Sequence, residues 1–339
     1  MDLKSTLITL IIGSTGGFMA SRMGFPAPFL TGPATIVTIS CLIGLKCSID
    51  TVFRNFSFII IGISIGSSAT PQLTQALASW PYTMIGMIVN VFVIIIIGKY
   101  LFQRVYKLNS NTAVLASCPG LLSFVLGLSE DTKSETVRIS VIQSVRVLTL
   151  ILAVPTCITF LTDFQAQTLS ENLEQIGWLH LLWLFVASVL LGRILLEIRC
   201  PAAFLFAGMV VSISGHTLDL TPGNVPSFLE TFAFIILGSL VGSRFTGVRV
   251  SLFKTAFIQG ATFTAIALIV SSTFAYVISI LSDFPFLDLL IAFAPGGLES
   301  MAAIGSLVKA DTTFVAFHHL ARLLFLTALI PLLLTQKDN

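Results

Sequence analysis

Charge is what this sequence has least of. Only 10% of its residues are Asp, Glu, Lys or Arg, against ~25% in a soluble domain. With 55% apolar residues and a mean hydropathy of +0.97, the chain cannot cover a globule of its size with polar side chains. Its expected solvent, and first expected partner, is a lipid bilayer. Basic residues form no run or stripe and the net charge is +2, so no nucleic-acid partner is expected. The five cysteines, Cys41, Cys47, Cys118, Cys157 and Cys200, are odd in number, lack a CxxC spacing and lie in or beside apolar segments. They predict small buried side chains, not disulfides or a metal site. The four histidines make no HxH, and no ExxH spacing faces inward. The clustered ligands of a copper or di-iron oxidase are therefore lacking; the expectation is no metal, no cofactor, no catalytic residue and no enzyme. Strict apolar alternation is missing too, which argues against an outer-membrane barrel.

What is present is one unit written twice. Phe58-Ile59-Ile60-Ile61-Gly62 recurs as Phe234-Ile235-Ile236-Leu237-Gly238, Pro119-Gly120 as Pro295-Gly296, and Arg146 as Arg322, all 176 residues apart. Pro26-Ala27 and Phe29-Leu30 recur as Pro201-Ala202 and Phe204-Leu205 at 175. The repeats occupy 1–165 and 166–339 and are expected to form one integrated transmembrane domain. Internal duplication in an apolar chain is a layout typical of transporters. The first segment imitates a signal peptide, but it has a counterpart near Leu181 to Leu191 and so belongs to the fold.

Each copy holds six apolar segments. The first copy runs Thr6–Ala20, Pro28–Leu45, Phe56–Ser68, Tyr82–Leu101, Thr112–Leu128 and Val137–Phe160. The second runs Trp178–Leu191, Ala202–Ser214, Phe228–Gly242, Phe253–Leu281, Leu287–Leu307 and Thr313–Leu334. Lys and Arg prefer cytoplasmic loops. With the N-terminus inside, the inner loops of the first copy hold Lys4, Lys46, Arg54, Lys99, Arg104 and Lys107, and the outer loops only Arg22. Read in the opposite sense, the second copy puts Arg193, Arg199, Arg244, Arg249 and Lys254 inside and Asp219, Asp283 and Asp288 outside. The copies are therefore expected to be inverted, and inversion demands an odd number of crossings per copy. One segment of each must turn back. The fifth is chosen because Pro119-Gly120 and Pro295-Gly296 break it; in a rival arrangement the short third segment is the exception. The expected fold is all-α and polytopic, with two inverted-topology repeats of about five transmembrane helices plus one broken or re-entrant segment each. It is a multi-pass protein of a bacterial inner membrane, with both termini cytoplasmic.

The stretch Pro295-Gly296-Gly297-Leu298, then Met301, then His319-Leu320-Ala321-Arg322 resembles the bacterial membrane AbrB family. Pro119-Gly120-Leu121-Leu122-Ser123 and Gln143-Ser144-Val145-Arg146 repeat the resemblance in the first half. Two departures stand out: Leu121 replaces a usual second glycine, and Glu299-Ser300 reverses a usual Ser-Glu. The resemblance implies a distant relation to inverted-repeat secondary carriers. Family members also carry labels as regulators of gene expression or ammonia monooxygenases.

Arg146 and Arg322 each lie about ten residues into the sixth segment, roughly 15 Å deep, where an arginine costs ~2.5–3.5 kcal/mol on insertion scales. Two readings stand: a site for an anionic group or gating ion pair, or guanidiniums that bond the carbonyls freed by the neighbouring break. Pro119, Gly120, Pro295, Gly296 and Gly297 mark helix breaks, whose new N-termini favour anions and whose exposed carbonyls can hold a cation. Otherwise they are packing kinks. Glu299 follows the second break and either pairs with Arg322, takes up a coupling proton, or sits in water at a hairpin tip. Ser123 and Ser300 add hydroxyls. His319 and Gln143 precede Arg322 and Arg146 by three residues and share their helix faces, as proton relay or as hydrogen-bonding support. Lys133 and Lys309 correspond as hairpin-end charges. Gly62, Gly66, Gly238 and Gly242 form two GxxxG motifs, read as packing within the bundle or as a homodimer surface. The leading functional expectation is alternating-access transport of a small anionic solute; regulation without transport is the alternative, although the loops are short for it.

Overall fold

A computed structural model describes residues 3–67, 80–120, 122–132, 134–162, 175–198, 200–218, 220–282 and 284–334. Among these, fourteen α-helices and no strand occur. The first half holds α1 (Leu3–Arg22), α2 (Pro28–Leu42), α3 (Thr51–Ser67), α4 (Trp80–Tyr100, extended by a π turn over Leu101–Val105), α5 (Ser110–Ser117), α6 (Leu122–Asp131) and α7 (Thr136–Thr162). The second holds α8 (Trp178–Glu197), α9 (Ala203–Thr217), α10 (Ser227–Ser243), α11 (Val250–Leu281), α12 (Phe286–Phe293), α13 (Leu298–Leu307) and α14 (Thr312–Leu333). Five of the seven pairs of corresponding helices match in length: 20 residues for α1 and α8, 15 for α2 and α9, 17 for α3 and α10, 8 for α5 and α12, and 10 for α6 and α13; α4 and α11 (21 and 32) and α7 and α14 (27 and 22) differ. Even a strained cap recurs. Ala27 before α2 and Ala202 before α9 both adopt left-handed backbone, with φ 49° and 50°, a conformation costing an alanine roughly 1–2 kcal/mol.

Six helices, α1, α4, α7, α8, α11 and α14, are long and apolar enough to cross a membrane. Large apolar side chains such as Trp178, Leu179, Leu182 and Leu190 on α8, and Ile258, Ile269 and Leu281 on α11, point outward. A soluble monomer does not expose apolar area on that scale; lipid covers it. The protein is an all-α polytopic membrane protein. Lys4, Lys99, Arg193 and Lys254, expected in loops, instead occupy helical turns. The boundary at 165/166 lies outside the described residues, as do Lys133, Asp163, Glu171, Glu174, Arg199, Asp219 and Asp283.

The chain forms two compact units, and each draws on both halves. One comprises Met1–Ala78, Ile151–Gly247 and Ala302–Thr313; the other comprises Ser79–Leu150, Val248–Met301 and Phe314–Asn339. At the heart of the first unit, α3 and α10 carry no polar face along Phe58–Ile63 and Ala233–Leu237, and these runs are buried, as expected of helices apolar all round. Their glycines allow backbone contact. A Cβ at Gly62 would strike the Leu205 carbonyl of α9, and one at Gly238 would strike the Leu30 carbonyl of α2. Leu205 and Leu30 are themselves counterparts, so the two GxxxG faces are used reciprocally inside the unit. The ends fix direction. Ser64 near the end of α3 donates to the Glu230 carboxylate near the start of α10. Thr246, beyond α10, donates to the Cys47 carbonyl ahead of α3 at 2.6 Å. Corresponding helices α3 and α10 therefore run antiparallel, and Lys46 and Arg244 lie at the same end of this unit.

In the second unit α4 and α11 also pack antiparallel, with Gly86 against Ile278 and Gly98 against Phe263. The broken fifth segments resolve into hairpins. Leu115 of α5 is bonded by Gln143 of α7, and Cys118 by Arg146, so α5 and α7 run side by side in the same sense. The Glu135 N–H at the start of α7 donates to Thr112 Oγ1 at the start of α5, at 3.1 Å. The ten residues of α6 have thus carried the chain back to its level of entry. Ile291 and Ala294 pair with His319 and Arg322 in the same register.

Candidate functional site

A helix that stops inside a protein leaves carbonyls without N–H partners, and buried polar groups must be satisfied. The second break, between α12 and α13, shows how this is met. Pro295 has no N–H to offer. The Ile291 carbonyl accepts from His319 Nε2 at 3.0 Å. The Phe293 carbonyl accepts from Asn90 Nδ2 at 3.1 Å and Ser271 Oγ at 2.9 Å. The Ala294 carbonyl accepts from Arg322 Nη1 at 2.6 Å, and the Gly296 carbonyl from Arg322 Nη2. The first break uses the same plan: Gln143 Nε2 reaches the Leu115 carbonyl at 2.8 Å and Arg146 Nη1 the Cys118 carbonyl at 3.0 Å. Both pairs span 28 residues in each half. Each arginine sits ten residues beyond the start of its helix. They are the two largest fully buried side chains, at 1% and 0% exposure.

The breaks meet. Gly120 has φ 98°, which favours glycine. A Cβ there would lie 2.9 Å from Leu323 Cδ2, 3.4 Å from Arg322 Nη2 and 3.5 Å from the Gly296 carbonyl oxygen. The first bend therefore rests on the guanidinium that holds the second. Pro119, Pro295, Gly296 and Gly297 are buried around this point, and Ser300 is buried with its hydroxyl donating to the Gly297 carbonyl at 3.1 Å. Arg322 makes no ion pair among the described residues, whereas Arg138 pairs with Glu135. Nor do three His, Cys, Asp or Glu side chains of the described residues cluster as metal ligands.

Glu299 corrects an expectation. It does not pair with Arg322. It lies in the first turn of α13, half-buried, with its carboxylate folded beside Gly297. A second acid within an apolar segment, Glu230, sits in the first turn of α10. Ser123 falls in α6 and its side chain is outside the described residues, as is Leu121. His318 turns away from His319, as their adjacency requires, and lies 2.8 Å from both Thr83 Oγ1 and the Phe314 carbonyl.

The matched halves, broken helices and paired arginines extend over nearly the whole chain, and so does its likeness to known proteins. The family model described as transition state regulatory protein AbrB matches residues 29–336. The chain belongs to the AbrB family. Two relatives share its length. The uncharacterized protein YhjN of Bacillus subtilis (strain 168) is 23% identical over 367 residues, covering 97% of this chain and 92% of the relative. A protein of Escherichia coli (strain K12), provisionally named as the regulator AbrB, is 22% identical over 306 residues, covering 88% and 86%.

In this AbrB-family chain, sequence reasoning missed Asn90 and Ser271. Both are fully buried and both bond the Phe293 carbonyl. Asn90 carries a visible signal, a lone polar residue within the apolar run Met87 to Ile97, whereas Ser271 opens the polar triplet Ser271-Ser272-Thr273 and nothing local singles it out.

Proposed function

We propose that this protein is a secondary transporter of a small anionic solute in a bacterial inner membrane, working by alternating access, and that it is not an enzyme. The observation that carries this reading is the Arg322 guanidinium, wholly buried where two broken helices meet and bonded to carbonyls with no carboxylate among its partners. Holding a broken backbone does not require a charge. Asn90 and Ser271 hold the Phe293 carbonyl with neutral groups. A buried cation costs several kcal/mol more than a neutral donor, and attraction of an anion is a use that offsets the cost. The antiparallel setting of α3 and α10 supports inverted repeats, with ten crossings, two re-entrant hairpins and both termini cytoplasmic. Two compact units that each combine both halves suit a mechanism in which one bundle shifts.

A thermal-shift screen of small carboxylates and inorganic anions tests the reading. A substrate stabilises the wild type by mass action and leaves Arg322→Ala unmoved; the same anion then exchanges across proteoliposomes carrying the wild type. Wild-type transport rates in both Arg146→Ala and Arg322→Ala would rule the site out. The regulatory description of the family and of the Escherichia coli relative favours a second reading, control of gene expression through a partner. A partner recovered by crosslinking, with no solute movement in vesicles, would establish that one instead.

A further inference from the structure

We propose that the carbonyl cradle at the second break is a monovalent-cation site permanently filled by the protein's own Arg322, so that the cycle needs no inorganic coupling cation. This rests on the transporter reading for its consequence, but the cradle itself stands on geometry. Carbonyl oxygens released at a broken membrane helix form the kind of oxygen cluster that takes up Na⁺ or H₃O⁺ in carriers. Here the Ala294 and Gly296 oxygens both accept from one guanidinium. The neighbouring Ile291 and Phe293 oxygens are taken by His319, Asn90 and Ser271. The oxygens that a mobile cation would need are therefore occupied by donors tethered to α14, α4 and α11.

The charge pattern agrees. A carboxylate would strengthen a site for a mobile cation, yet Glu299, the acid beside this break, is half-buried and contributes no bond to the cradle. Arg322 is 0% exposed, so its charge neither leaves nor exchanges with solvent. Each of its two terminal nitrogens donates to backbone, while Nε, also buried, has no partner among the described residues. The solute would thus meet a fixed positive charge with two of its five N–H groups already spent on backbone and the Nε–H unspent. A monoanion moving alone would carry net charge, and one exchanged for another would carry none; neither requires sodium or potassium.

The test compares melting temperatures of purified wild type and Arg322→Ala in choline, sodium, potassium and guanidinium chlorides at about 50 mM, where a specific ion acts by mass action. The wild type is expected to melt alike in choline, sodium and potassium. The variant is expected to melt several degrees lower and to recover at least half of the loss in guanidinium and not in choline. Stabilisation of the wild type by sodium or potassium would overturn the proposal, as would a variant that guanidinium does not rescue. If Arg322→Ala yields no folded protein, Arg322→Gln takes its place under the same outcomes. Rescue without any solute transport by the wild type would sink the transporter reading and leave the cradle standing.

Discussion

The two compact units are held in different ways. At the centre of the first, Gly62, Gly66, Gly238 and Gly242 bring α3 onto α9 and α10 onto α2 at backbone contact, with one buried hydroxyl bond, Ser212 of α9 to the Ile63 carbonyl of α3, beside them; the hydrogen bonds that set α3 against α10, Ser64 to Glu230 and Thr246 to Cys47, are at the ends. At the centre of the second, helices stop, and long polar side chains reach across to carbonyls. Dry contact between backbones has one good register, since a small shift collides with carbonyl oxygens. A polar lattice has alternatives, because each donor can exchange one acceptor for another or for a ligand. On the transporter reading proposed above, the first unit is the frame and the second the place where bonding can change, and buried networks of the second kind are costly when half-satisfied.

Five substitutions break or sharpen that contrast. The largest effect is expected for Arg322→Ala. Two buried carbonyls lose their donors at about 1–3 kcal/mol each, and anion binding is abolished; thermal unfolding and the ligand screen read the two losses separately. Next comes Gly238→Val in the frame. Overpacking costs about 1–3 kcal/mol, and Gly62→Val should cost nearly the same because the contacts are reciprocal. Unequal losses in the two unfolding curves would show that the halves are not packed alike. A smaller effect is expected for Asn90→Leu, about 1 kcal/mol, since Ser271 still serves the Phe293 carbonyl. Smallest of all is His319→Gln, expected below about 1 kcal/mol, because Gln143 already performs the equivalent task in the other half. A loss several times larger would assign His319 work beyond holding the Ile291 carbonyl, and a pH profile of transport would then show whether that work is proton transfer.

Much of the site was legible in the residues. Pro119-Gly120 and Pro295-Gly296 announce broken helices because proline cannot donate and glycine can bend. Arg146 and Arg322 announce burial because their depth in an apolar run leaves no route to water. The spacing of Gln143 and His319 ahead of them places each pair on one face. Of the three readings of Glu299, the geometry removes the pairing with Arg322, because an acid beside a break in sequence need not face the same way in space: its position in the first turn of α13 puts the carboxylate beside Gly297. Asn90 and Ser271 were overlooked because their shared acceptor lies 203 and 22 residues away, and no local pattern encodes it.

The sequence by itself determined that the chain lives in lipid, that it is helical and duplicated, and where its helices break, because charge content, run length and proline chemistry are local properties. Only the tertiary structure decided that each compact unit mixes the two halves, that the broken segments turn back, and that the freed carbonyls fall to Arg322, His319, Asn90 and Ser271. Those outcomes depend on which helix lies beside which, and in an apolar chain nearly every helix face is equally fit to be buried.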